Sequence, residues 1–136
     1  RKSVPQYLRN RKQWKLSASH NTSKAGQAVD GNLGSRYDTG AYMRPGMWFQ
    51  VDLPAAMEVS GLRMDAAGSR GDFPRGYSVT VSLDGKTWSA PVAKGAGTQP
   101  LTEVFFAGVK AKHIRITQTG QFRLYWSIHD LQIYGK

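Results

Sequence analysis

Tyr77-Ser78-Val79-Thr80-Val81-Ser82-Leu83, then Asp84-Gly85, then Lys86-Thr87-Trp88, is the stretch on which the fold turns. Tyr77, Val79, Val81 and Leu83 share one face of an extended chain and Ser78, Thr80 and Ser82 the other, the alternation of a half-buried strand. Asp84-Gly85 supplies the positive backbone angles of a tight turn, so the spacing predicts a hairpin returning through Lys86-Thr87-Trp88. Outward from it, residues 48–53, 59–64, 102–106, 112–117 and 129–134 read as further strands, separated by turn signals. With 15 Gly, 6 Pro and 4 Trp and no long helical periodicity, the 136 residues read as one all-β domain, an antiparallel sandwich or barrel. No run approaches the ~18 apolar residues of a membrane span, and the N-terminus has no signal-peptide apolar core. The chain reads as soluble and as excised from something longer. The absence of cysteine excludes a disulfide framework and a thiolate metal site without fixing the compartment.

The net charge of +10 invites nucleic acid or an acidic membrane as partner, but its distribution argues otherwise. Six of the 19 cations precede residue 16, where no acid occurs, leaving +4 for the remainder. Residues 1–13 therefore read as a basic arm or linker, with Val4, Tyr7 and Leu8 available to lie on the body, and residues 14–136 as the domain. Two long loops, 65–76 and 118–125, are rich in Gly, charge, amides and aromatics, the positions where a rigid β scaffold carries binding residues.

A second informative stretch is Ala28-Val29-Asp30-Gly31-Asn32-Leu33-Gly34-Ser35-Arg36-Tyr37, which leads through Gly46 into Met47-Trp48-Phe49-Gln50-Val51-Asp52-Leu53. Asp, Asn and Ser oxygens around two glycines suit a hard cation, and equally suit an ordinary Asp-Gly-Asn turn without metal.

Taken with Ser17-Ala18-Ser19, Pro74-Arg75-Gly76-Tyr77, Ser82 to Trp88, Ile114-Arg115-Ile116 and the closing Trp126-Ser127-Ile128-His129-Asp130-Leu131-Gln132-Ile133-Tyr134-Gly135, these motifs resemble the discoidin, or coagulation factor 5/8 type C, domain family. Within it they are closest in character to bacterial family 32 carbohydrate-binding modules. The resemblance implies a jelly-roll β-sandwich of about eight strands, with a ligand site on variable loops at one end. It implies structural calcium held by Asp30 and Ser35 side chains and by carbonyls around Ala28, Asn32, Ser35 and Asp130. Two positions depart from the family pattern: Tyr37 stands where Trp is common, and Asp130 where Glu is common.

A sugar needs an apolar surface under its C–H face and planar polar groups for its rim. Tyr37, Asp38, Asp65, Arg70, Asp72, Phe122 and Tyr125 are the ligand-binding candidates, with Thr39, Phe73, Arg75, Gln118, Gln121 and Arg123 beside them. An Asp in such a loop also commonly caps its own turn, and an exposed aromatic also covers core. Trp48, Trp88 and Trp126 read as core or wall residues, and Trp14 as a seal beneath the arm. His20, His113 and His129 show no ligating spacing, no nucleophile elbow occurs, and Asp65 and Asp72 on loops do not read as a hydrolytic carboxylate pair. The expectation is a monomeric, non-catalytic carbohydrate-binding module of a larger secreted, periplasmic or cell-surface bacterial enzyme, with no nucleic-acid partner. Its ligand is a poly- or oligosaccharide of galactose type or an acidic or sulfated one, for which Arg70, Arg75 and Arg123 are the anchors. The alternatives are an anionic-surface binder, using Phe73, Phe122 and Leu124 flanked by arginines against acidic lipid or the arm against nucleic acid, and a structural spacer.

Overall fold

Eight antiparallel strands form two sheets in the computed structural model, which describes residues 6–136. They are β1 Lys15–Ala18, β2 Tyr37–Met43, β3 Trp48–Asp65, β4 Tyr77–Ser82, β5 Ala93–Gly95, β6 Leu101–Gln118, β7 Phe122–Ile128 and β8 Asp130–Gly135. The larger sheet runs β1-β3-β6-β4-β5, with β8 also paired to β3, and the smaller sheet is β2-β7. The expected all-β sandwich is the fold observed. No helix among the described residues is long and apolar enough to cross a membrane.

β3 organises the larger sheet. Its first half pairs with β1, its second half with β8, and β6 runs along its other side. The expected strands 48–53 and 59–64 are one strand, as are 102–106 and 112–117, because the irregularity between Asp52 and Met57 bends the ladder without ending it. Alternation places Phe49, Val51 and Leu53 in the core and Trp48, Gln50 and Asp52 outside. Ile114 and Ile116 of β6, Tyr37 and Met43 of β2, and Trp126 and Ile128 of β7 meet them between the sheets. Burying each such side chain contributes about 1.5–3 kcal/mol, so the inter-sheet layer is the main source of stability.

The hairpin after β4 differs from expectation. β4 forms, but its partner is β5, and Lys86-Thr87-Trp88 is not a strand. Gly85 does adopt a positive φ of 77°. Asp84 Oδ1, however, accepts the backbone N–H groups of both Lys86 and Thr87 at 2.8 Å, removing the donors a ladder would need. Leu83 leaves the buried face and is exposed, while Ser82 turns inward, its Oγ accepting the Gly85 N–H at 2.8 Å.

The described part of the arm packs on the body. Leu8 is buried and donates its N–H to Ile133, and Tyr7 stacks on Tyr134 with ring centroids 5.0 Å apart. The expectation for Val4 lies outside the described residues. Trp14 and Trp126 are buried, whereas Trp48 and Trp88 form an outer wall around the Arg115 guanidinium, 4.2 Å and 5.0 Å from the two rings.

Candidate functional site

The binding candidates Tyr37 and Asp38 open β2, which pairs with β7, a strand that begins inside the expected loop 118–125, and this decides which candidate side chains reach solvent. Tyr37 opposes Ile128 and Asp38 opposes Ser127; past a register shift Tyr42 opposes Tyr125, and past a second Met43 opposes Phe122. Gly40, at φ 63°, sits within the first irregularity, where a side chain would be strained.

Tyr37 is fully buried, against the expectation of a sugar platform. Its ring meets Phe49 edge-on at 5.0 Å, and its hydroxyl donates to the His20 carbonyl at 2.7 Å. Burial, reinforced by the neighbouring Asp38 charge, pushes that hydroxyl's pKa well up, so it stays a neutral donor.

Asp38 and Asp72 are framework residues, not open acceptors. Arg36 lies between them, with Nε 3.3 Å from Asp38 Oδ2 and Nη1 3.3 Å from Asp72 Oδ2. Lys24 Nζ adds a 3.0 Å contact to Asp38, and Ser127 Oγ donates to Asp72 at 2.5 Å. Asp38 is thus held by two cations and the Gly40 N–H, and Asp72 by one cation and a hydroxyl, arrangements that fix loops. Asp65 caps its own turn, its Oδ1 accepting the N–H of Ala67 at 2.7 Å. Arg70 is exposed on the same loop.

The cation expectation at Ala28, Asp30, Asn32, Ser35 and Asp130 meets a mixed arrangement. Ser35 Oγ donates to Asp30 Oδ2 and lies 3.0 Å from the Asn32 carbonyl, so those oxygens do gather. These hydrogen bonds, Ser35 first and the Asn32 N–H second, hold the exposed Asp30 carboxyl below its ordinary range. Asp130 does not join them. Its Oδ1 is 2.7 Å from Arg11 Nη1, and the same nitrogen donates to the Leu131 carbonyl at 3.0 Å. Ala28 is buried, and among the described residues no three acidic, His or Cys side chains cluster. The Asp130 side chain thus takes no part in this cluster, and the oxygens that gather as the calcium expectation requires are those of Asp30, Asn32 and Ser35. The loop is also held by His129, whose Nδ1 is 2.6 Å from the Leu33 carbonyl and whose Nε2 is 2.8 Å from Ser69 Oγ.

Phe122 and Tyr125 do reach solvent together, joined by Tyr42, which no motif marked. Tyr42 is 60% exposed, Phe122 46% and Tyr125 38%, and the two tyrosine rings lie 6.3 Å apart. Tyr42, Met43, Arg44, Gln121, Phe122 and Arg123 line an open cleft of 740 Å³. Its back is stiffened by Arg75, whose guanidinium lies 3.8 Å from the Phe73 ring centre and 3.9 Å from that of Phe122. Arg75 Nη1 also donates to the carbonyls of Gly71 and Phe73 at 2.8 Å. The two long loops meet here with no room to spare: a Cβ on Gly120 would lie 2.7 Å from both Arg75 Cβ and the Gly76 nitrogen. Aromatic faces at a polar, open rim bind flat, amphipathic molecules.

This eight-stranded sandwich, with aromatic and basic side chains clustered on its smaller sheet, has the form of a ligand-binding module. Residues 12–130 match the F5/8 type C domain family, and the chain belongs to it. No curated protein sequence matches the chain. Among solved structures, the family 32 carbohydrate-binding module of Clostridium perfringens NanJ, in complex with galactose, is similar at 21% identity and TM-score 0.81, over 96% of this chain and 99% of that one. CpGH89CBM32-5 of the same organism, in complex with GalNAc-β-1,3-galactose, is similar at 17% identity and TM-score 0.79, over 91% and 96%. Chitosan-binding module 1 from a Paenibacillus chitosanase/glucanase is similar at 21% identity and TM-score 0.75, over 90% and 96%.

Proposed function

We propose that this chain is a non-catalytic carbohydrate-binding module that holds a glycan on the Tyr42, Phe122 and Tyr125 surface. In this reading it tethers a larger, exported bacterial carbohydrate-active enzyme to its substrate. The observation that carries the reading is that two exposed aromatic side chains, Tyr42 and Phe122, line one cleft, with the exposed Tyr125 ring 6.3 Å from that of Tyr42. Apolar ring faces stack on the C–H face of a pyranose, while Gln121 and the guanidinium groups of Arg44 and Arg123 meet its rim oxygens. The solved carbohydrate-binding modules of the same fold support it. An open surface of this kind holds one ligand modestly and gains from repeated engagement along a polymer. Affinity electrophoresis against a panel of neutral and acidic polysaccharides tests it: retardation by at least one, lost in Tyr42→Ala and Phe122→Ala, is expected. A folded protein that no glycan retards would exclude it.

A further inference from the structure

Several half-buried cations are engaged by the fold itself. Arg11 meets Asp130, Lys24 and Arg36 share Asp38, Arg36 also reaches Asp72, and Arg75 is spent on two carbonyls and two rings. Arg115 likewise donates from Nε and Nη2 to Gln50 Oε1, at 2.8 Å and 2.6 Å. The two arginines that line the cleft are treated differently. Among the described residues, Arg44 and Arg123 have no carboxylate within 4.0 Å, and no acidic residue lines the cleft. The side-chain contact of Arg44 is His20, at 3.1 Å between Nη2 and Nε2, and a guanidinium in such a pair only donates. Both arginines are exposed, so their donors point to solvent beside exposed aromatic rings.

Hydroxyl groups of a neutral sugar both donate and accept, and their donors need acceptors. The cleft supplies few, chiefly the Gln121 amide oxygen and the Tyr42 hydroxyl, while presenting two forked cations. A forked guanidinium is matched by a planar or tetrahedral oxyanion, and two of them within one cleft match a ring that carries one. The net charge of +10 draws such ligands toward the surface from a distance.

From this geometry we infer that the cleft takes an anionic sugar, a pyranose bearing a carboxylate or a sulfate ester, with Arg44 and Arg123 on the oxyanion and Tyr42 and Phe122 against the ring. The inference rests on the carbohydrate-binding reading and deepens it to a substrate class. A polycationic glycan is disfavoured at the same site by repulsion from both arginines.

The experiment is titration of the whole chain, at fixed ionic strength, with matched probes: dextran against dextran sulfate for the sulfate arm, and galactan against polygalacturonate for the carboxylate arm. The expected result is at least tenfold tighter binding to one acidic probe than to its neutral partner. Arg44→Gln combined with Arg123→Gln should lose at least tenfold on that probe. The charge-matched pair Lys86→Gln with Lys110→Gln, outside the cleft, should change binding less than twofold. Thermal melts check folding, and if Arg123→Gln melts early the Arg44→Gln single variant is read in its place, with a loss of at least threefold expected. Equal losses in the two double variants would overturn the inference in favour of diffuse attraction. Preference for the neutral probes would also overturn it while leaving carbohydrate binding intact. Binding to phosphatidylserine vesicles without any glycan binding would remove both, and assign the face to membranes.

Discussion

Arg11 Nη1 lies 2.7 Å from Asp130 Oδ1, joining a turn near the start of the described chain to the first residue of β8, 119 positions later. Both side chains are mostly buried, at 20% and 15% exposure, so the pair falls between an exposed ion pair of about 0–1 kcal/mol and a buried one. Arg11→Ala is expected to destabilise by about 1–2 kcal/mol in urea unfolding, since it strands a carboxylate and frees the Leu131 carbonyl. With Asp130 so engaged, millimolar calcium or its chelation is expected to shift the melting temperature less than Arg11→Ala does. A large calcium-dependent shift in the unsubstituted chain would mean that the Asp30 loop closes on a metal after all.

Tyr37 separates scaffold from ligand contact. Tyr37→Phe removes one hydroxyl bond to the His20 carbonyl and is expected to cost about 1 kcal/mol with glycan binding retained. Tyr37→Ala opens the space between the sheets beside Phe49 and is expected to cost about 3–5 kcal/mol. Reduced glycan affinity in a fully folded Tyr37→Phe protein would place its hydroxyl in the binding site instead.

Tyr42 behaves in the opposite way. Its side chain is mostly in solvent, so Tyr42→Ala is expected to change unfolding free energy by about 0.5 kcal/mol or less while weakening glycan binding at least tenfold. Parallel denaturation and binding titrations check the split, and a stability loss matching the affinity loss contradicts it.

The fold was legible where alternation was strict and the buried residues were branched or aromatic. Val79 and Val81 of β4 and Leu131 and Ile133 of β8 follow it, and both strands form where expected. β7 was not legible, because Phe122, Arg123, Leu124 and Tyr125 are all exposed and four successive outward residues carry no period. β2 was hidden by Gly40 and by polar residues that read as a loop, which also hid Tyr42 and Arg44. Among the binding candidates, residue type alone marked Phe122 and Tyr125 as surface groups. Asp72 was misleading because Arg36, 36 positions before it, reaches it, and Asp38 because Lys24, 14 positions before it, joins Arg36 on its carboxylate. A long-range ion pair leaves no local trace in sequence.

Acid should loosen the turns before the sheets. Asp30 is held below its ordinary value of 3.8 by the Ser35 hydroxyl and the Asn32 N–H, and Asp84 by the N–H groups of Thr87 and Lys86. A carboxyl whose folded pKa is depressed contributes stability above the unfolded value and loses it as pH falls through the folded one. Unfolding free energy is therefore expected to decline below about pH 3.8, and Asp30→Asn with Asp84→Asn to flatten that decline. Urea midpoints measured between about pH 2 and 5 provide the check, and an unchanged slope in the double variant counts against these two carboxyls as its source.

The position of β3 also governs time. Leu62 pairs with Val104 on one side and with Ile133 on the other, partners that the ribosome delivers long after β3 itself. Closing such distant pairs puts folding in the range of roughly milliseconds to seconds, and none of the early residues can nucleate the sheet alone. Until β8 arrives, the second half of β3 presents an open edge, a template for another nascent copy of the chain. The last strand to be made is thus the one that ends the period in which this domain is most prone to aggregate.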